Sequence, residues 1–497
     1  MAAIPNEADF PQVAATGVGG LDSVLRGGFP RDEMHMVQGV AGTGKTTLAL
    51  HFLREGVRAG ERCVYLTLSQ SKLHLERIAR SHGWKLDGIT VHELSPGTVA
   101  ERVASRQTVL PTVELELEAV FKELEEVVTR VQPQRAVIDS ITILQLLAGS
   151  VQRYHREVVT LRQLFVERSC TVLALADHPA GAESGQAPEV IFHPLCGVVI
   201  DLSQQPRAYG DVRRQVRIIK ARSLPSNGGV HDLKILHDRM EVYPRLGAYS
   251  IPEYDEFALA PCGIGELDEA LGGGLEFGTA GLIVGPSGAG KSTLASLFIT
   301  AAATRGQRGA IFLFDERPET YKARANGIGI ALSDQVKSGR ILLRQLDPGE
   351  IAPGEFSQQV SETVQQGARV VVIDSIAGYF NAVGSSELFV AQLHELLTFL
   401  SRSGVLTILC GSQEGFMSIG GQVGVDISYL SDTILVLGYF EHAGDLRRYF
   451  TAVKRRQGKH QTDIRELTIG HNGVHLGEVL KDYRHIVLKN ADPSYRQ

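Results

Sequence analysis

Two phosphate-binding loops stand in this chain, and each opens a near-copy of the same segment. The first reads GVAGTGKT from Gly39 to Thr46 and the second GPSGAGKS from Gly285 to Ser292. Both fit G-x-x-x-x-G-K-[ST], and Lys45 and Lys291 lie 246 residues apart. That interval is about one α/β domain, so the chain must fold as two nucleoside-triphosphate-type domains in tandem. Glycines let the backbone N–H groups turn inward around a phosphate. The lysine adds a cation, the last Thr or Ser hydroxyl ligates Mg²⁺, and the following helix points its positive end at the same oxygens. The candidate nucleotide-binding residues are therefore Gly39, Gly42, Thr43, Gly44, Lys45, Thr46 and Thr47 in the first loop. In the second they are Gly285, Ser287, Gly288, Ala289, Gly290, Lys291, Ser292 and Thr293, with Lys291 also a catalytic candidate.

The two halves superpose in sequence well beyond the loops. GVGGLDSVLRGGF from Gly17 matches GIGELDEALGGGL from Gly263, and an apolar strand precedes each loop (MHMVQ, AGLIV). A buried-looking strand follows each loop's helix (CVYLTL, AIFLF), and further on AVID ends at Asp139 while VVVID ends at Asp374. Short apolar runs closed by an acid are the mark of interior parallel strands. Their alternation with helical stretches such as 112–131 and 385–402 makes each half an α/β, doubly wound, mostly parallel sheet. Asp139 and Asp374, each followed by serine, are the candidate metal-shell acids, with Thr46 and Ser292 supplying hydroxyls. Near the end of each half a β-rich stretch carries K-x-R: Lys220 and Arg222, then Lys454 and Arg456.

These marks divide the chain into an N-terminal domain 1–247, a linker 248–258, a C-terminal domain 259–485 and a tail 486–497. YPRLGAYSIPEYDEF breaks periodicity with two prolines, which places the linker. The net charge of −6 gives no overall basic field for nucleic acid or an anionic membrane. Five dispersed cysteines without a C-x-x-C pair argue for buried small side chains over a zinc ribbon or disulfide framework. There is no signal-peptide pattern and no apolar run long enough to span a bilayer. A cytoplasmic location is expected.

With these residues in hand, the chain resembles the KaiC family, the RecA-like ATPases named for the cyanobacterial circadian clock, in a diverged form. The likeness runs through the G-[VI]-G-x-L-D lead-ins, both loops, the two IDS strings, the K-x-R pairs and ARSHGW at Ala79 to Trp84. It implies two RecA-like domains with C-terminal antiparallel extensions, ATP and Mg²⁺ as ligands, and a double-ring homohexamer with ATP at subunit interfaces. In that arrangement Lys220, Arg222, Lys454 and Arg456 would reach the γ-phosphate held by a neighbouring subunit, where such cations contribute ~10³–10⁵ in rate. Partners would be further copies of the chain and a KaiB-like or signalling protein.

Two departures from the family pattern matter. The family carries paired acids after the strand that follows the loop's helix. Here these are Asp315 and Glu316 in the second half but Ser69 and Gln70 in the first. Losing a positioned base costs ~10²–10⁴ in rate, so the first half is expected to bind ATP and hydrolyse it slowly or not at all. A glutamine can still orient a water, and Glu76 lies nearby. The clock proteins also phosphorylate an adjacent Ser–Thr pair. The aligned residues are Ser428 and Tyr429, leaving one hydroxyl for serine autokinase chemistry. The competing reading, a DNA-dependent RecA- or DnaB-like ATPase, needs basic channel loops and an aromatic stacking platform that the sequence does not display.

Overall fold

The computed structural model describes residues 11–94, 112–178, 188–207, 210–222, 224–226, 228–246, 258–412, 427–456, 458 and 460–481. The chain forms two compact units, residues 1–208 with 212–248, and residues 209–211 with 249–497. Most of the expected linker and all of the tail 486–497 lie outside the described residues.

In the first unit a nine-stranded sheet runs in the order Met240–Tyr243, Val230–Ile235, Arg213–Ala221, Val198–Gln205, Met34–Gly39, Thr171–Asp177, Arg135–Asp139, Cys63–Thr67, Ile89–Glu93. Val198–Gln205 and the five strands after it are mutually parallel; the other three form an antiparallel extension. Strand side chains alternate between faces. Cys63 and Tyr65 pack with Leu48, Ala49 and Phe52 of the helix Lys45–Arg58. Val64 and Leu66 pack on the other face, against Leu117, Leu124, Tyr154 and Leu161. The latter come from the helices Thr112–Val131 and Val151–Val166. Burial on both faces explains why these strands read as continuous apolar runs.

The second unit repeats the plan, in the order Ile341–Gln345, Arg308–Leu313, Ala368–Asp374, Leu406–Gly411, Ala280–Val284, Thr433–His442, Asp445–Arg455, Arg465–Gly470, Gly473–Val479. The helix Lys291–Thr304 covers one face. An aromatic group of Phe312, Phe314, Phe356, Tyr379 and Phe389 fills the other. Each unit is thus a doubly wound α/β sheet with an antiparallel extension, as the sequence implies.

The five cysteines are buried, and so is Trp84. Among the described residues no helix is long and apolar enough to cross a membrane. Ser428 and Tyr429 open a 3₁₀ turn, Ser428–Leu430, just before the strand Thr433–His442.

Candidate active sites

Each loop begins where a central parallel strand ends, at the carboxyl edge of the sheet where doubly wound folds place their ligands. Gly44 and Gly290 sit at the N-caps of the loop helices with φ of 106° and 109°. A Cβ there would meet Ile235 at 2.7 Å or Ile469 at 2.5 Å, so only glycine allows the turn. No acid occupies the first turn of either helix, leaving its positive end uncompensated by its own side chains. The neighbouring parallel strand braces each loop, joined in the second unit by the first extension strand. Gln204 donates to the Ala41 carbonyl at 3.2 Å, and Tyr439 and Arg448 donate to those of Ser287 and Gly288 at 3.2 and 3.1 Å. Thr43, Ala289, Thr47 and Thr293 are buried, so Ala289 can offer a phosphate only its backbone N–H.

The two lysines differ in what they hold. Lys45 Nζ donates to the carbonyls of Gly39 and Val40 at 2.8 and 2.9 Å, and forms an ion pair with Asp177 at 2.9 Å. Lys291 Nζ donates to the carbonyls of Gly285 and Pro286 at 2.8 and 3.0 Å and makes no ion pair among the described residues. Burial lowers the Lys291 ammonium below its ordinary value and outweighs the opposing pull of the nearby Asp374 charge. Asp177 is absent from the sequence-derived candidates. It closes the strand Thr171–Asp177 directly beside Gly39, a juxtaposition set by strand order.

The candidate metal-shell acids also differ. Asp139 and Asp374 end strands next but one to the loop strands, and burial raises both carboxyls above their ordinary value. In the first unit the Tyr65 phenol donates to Asp139 at 2.5 Å, with the Thr46 side chain beside it. In the second unit the strand position of Tyr65 is taken by Ile311. The Ser292 side chain lies beside Asp374, and Asp374 Oδ2 is buried without a hydrogen-bond partner among the described residues. A hydroxyl beside an unpartnered buried carboxylate oxygen fits Mg²⁺, which uses few protein ligands and keeps several waters. In the first unit Thr46 and Asp139 would hold it with the Tyr65 phenol already on one carboxylate oxygen.

The carboxylates Asp315 and Glu316 emerge beyond Leu313, whose strand partner is Asp374. Ser375 donates to Asp315 at 2.5 Å while capping the helix Ile376–Val383. Glu316 is gripped by both terminal nitrogens of Arg324 at 2.8 Å each, from the helix Pro318–Gly327. Sequence reading missed Arg324. In the first unit Ser69 is exposed, and the Gln70 backbone is tied into a turn by Thr67, whose hydroxyl accepts from its N–H at 2.9 Å and donates to its carbonyl at 2.8 Å. Glu76 pairs with Arg80 along the next helix at 3.6 Å.

The K-x-R pairs lie away from their own loops. Lys220 pairs across the sheet with Val199 and Lys454 with Ile434, each three strand residues back from the level of the loop. At ~3.3 Å per residue that is about 10 Å, at the opposite edge of the sheet. There Lys220 Nζ donates to the carbonyls of His193 and Cys196, at the end of the 3₁₀ helix Pro188–Leu195. Lys454 Nζ donates to the carbonyls of Ser428 and Ser431 at 2.9 and 2.8 Å. Arg456 adds bonds to the Tyr429 carbonyl at 2.6 Å and Asp432 at 3.2 Å. Arg222 follows its strand in the matching place. The structure therefore brings Ser428, Tyr429, Lys454 and Arg456 together, apart from the loop at Lys291.

A family model described as the KaiC ATPase matches residues 14–247 and again residues 260–481. The chain is 26% identical to the circadian clock oscillator protein KaiC 1 of Synechocystis sp. (strain ATCC 27184 / PCC 6803 / Kazusa), over 97% of this chain and 94% of that one. It is 26% identical to the circadian clock oscillator protein KaiC of Acaryochloris marina (strain MBIC 11017), over 95% and 90%. To the circadian clock protein KaiC3 of the same Synechocystis strain it is 25% identical, over 96% and 94%.

Proposed function

The chain belongs to the KaiC family of ATPases, and from that premise we propose that its two sites divide the labour. Both loops bind ATP, and hydrolysis is carried mainly by the C-terminal one. The observation behind this is the pair Asp315 and Glu316 beside the strand end at Asp374, where the first unit has Ser69 and Gln70. Glu316 is oriented by Arg324 and Asp315 by Ser375, which supports a role for the two carboxylates in aligning and deprotonating the attacking water. Lys291 balances charge on the phosphate oxygens, and Ser292 with Asp374 would hold Mg²⁺, which supplies further charge neutralisation when bound.

Lys220, Arg222, Lys454 and Arg456 lie too far from their own loops to touch the nucleotide bound there. Their recurrence suits a contribution to a neighbouring copy's γ-phosphate in a double-ring homohexamer. Ser428, within the turn gripped by Lys454, is the hydroxyl this reading offers for autophosphorylation. The output would be conformational, with nucleotide state setting the surface shown to a protein partner.

Steady-state hydrolysis by paired variants tests the division. Asp315→Asn with Glu316→Gln should lower turnover by ~10²-fold or more, and Ser69→Ala with Gln70→Ala should change it by less than about twofold. Equal losses from the two pairs would reject the asymmetry. A several-fold rise in turnover on adding single-stranded DNA would replace the switch with a DNA motor.

A further inference from the structure

An ammonium has three hydrogens to donate. Lys45 spends two on the loop carbonyls of Gly39 and Val40 and the third on Asp177 at 2.9 Å, so its donors are already filled. Lys291 makes the same two loop contacts, and among the described residues its third donor has no partner. The difference traces to one residue. Asp177 is paired in the sheet with Gly39, and the equivalent step in the second unit, one past the Val284–Gly411 pair, is Ser412. Asp177 is also fixed in place, since its backbone N–H donates to the Thr142 hydroxyl at 2.9 Å. Its carboxylate is half-exposed, facing the loop while the lysine it neutralises is buried.

We propose that Asp177 is an internal competitor for the terminal phosphate, so that the N-terminal site discriminates far less in favour of nucleoside triphosphate over diphosphate than the C-terminal site does. This rests on the reading of the first loop as a nucleotide site. The loop lysine serves the β- and γ-phosphates. A diphosphate can be bound through the loop N–H groups with the Lys45–Asp177 pair retained. A γ-phosphate must take the lysine's third donor, and it then lies against a displaced carboxylate of its own sign. Nucleotide exchange at this site therefore opens and closes an ion pair, which the second site does not have to do.

Equilibrium titrations of the full chain carrying Lys291→Ala test this, with Mg·AMP-PNP and Mg·ADP as probes and a chain carrying both Lys45→Ala and Lys291→Ala as the blank. Adding Asp177→Asn should raise triphosphate affinity about tenfold or more and change diphosphate affinity by less than about threefold. Asp177→Ser, which copies the second unit's residue, should act in the same direction, and an unchanged Trp84 emission shows the unit to be intact in both. Equal rises for both nucleotides, or no rise, would overturn the proposal. So would unchanged affinity with loss of residual hydrolysis, which would make Asp177 a group in the chemistry. Binding that ignores Asp177 leaves the first loop a nucleotide site; no binding by any of these chains ends that reading and the selectivity with it.

Discussion

Lys45 and Lys291 occupy the same place in the same kind of loop, yet one is neutralised and the other waits for an anion. The same contrast holds for the acids, because Tyr65 bonds Asp139 while Asp374 Oδ2 has no partner among the described residues. A buried unpartnered carboxylate oxygen costs free energy that a bound cation recovers, so the second site is the one built around its ligand. At Ser428 the same scale yields a direct test. Lys454 and Arg456 hold the carbonyls of Ser428 and Tyr429, placing two cations at the turn that Ser428 opens. Intact-mass measurement after incubation with Mg·ATP should show one added phosphate, absent from Ser428→Ala. An unmodified mass during turnover removes the autokinase role.

Among the elements, the strand ending at Asp139 is anchored at its other end by Arg135, which is almost fully buried. Arg135 donates to Glu61, to the Ala15 carbonyl at 2.6 Å and to the Phe52 carbonyl at 3.0 Å, with its guanidinium 4.8 Å above the Phe52 ring. Burial pulls the Glu61 carboxyl upward, but the hydrogen bonds from Arg135 and Arg31 outweigh it and hold the group below its ordinary value. The network ties the lead-in, the loop helix and the metal-acid strand together. Arg135→Ala would leave the buried Glu61 with Arg31 alone and the Ala15 and Phe52 carbonyls without their donor, and should cost about 3–5 kcal/mol. Glu61→Gln added to Arg135→Met should recover part of that loss. Urea unfolding followed by Trp84 fluorescence measures both, and a loss under about 1 kcal/mol for Arg135→Ala would show the network to be dispensable. The second unit uses a different buried pair, Arg455 with Glu276 at 2.5 Å. The middle residue of its K-x-R is thus structural, because alternation along the strand turns it to the face opposite Lys454.

For the molecule as a whole, acid should act through two imidazoles of the first unit. Burial pushes His35 and His51 down from 6.5 to about 4. Each accepts a backbone N–H, from Val198 and Met240 respectively, which a protonated ring nitrogen cannot do. Between pH 6.5 and about 4 the unfolded chain therefore binds protons that the folded one refuses, so the stabilisation is complete above pH 6.5 and is lost as pH falls toward 4. The loss approaches roughly 3 kcal/mol for each imidazole. Trp84, the only tryptophan, lies 4.6 Å from His51 and reports it through the pH dependence of the urea midpoint, which His51→Gln should flatten. A midpoint unchanged from pH 7 to 4.5 would refute this. Two loops at a fixed interval, apolar runs closed by acids and their alternation with helices determined the tandem doubly wound fold, and the missing first-unit acids were legible as Ser69 and Gln70. These are local patterns, and local patterns fix element type and repeat. The partners of Lys45, Asp139 and Glu316 were not legible. Asp177 meets Lys45 because Thr171–Asp177 lies between the loop strand and the Asp139 strand, and Tyr65 meets Asp139 across 74 residues. Arg324 reaches Glu316 from the following helix. Such meetings depend on strand order and on which face a side chain leaves, and only the packed tertiary structure decides those.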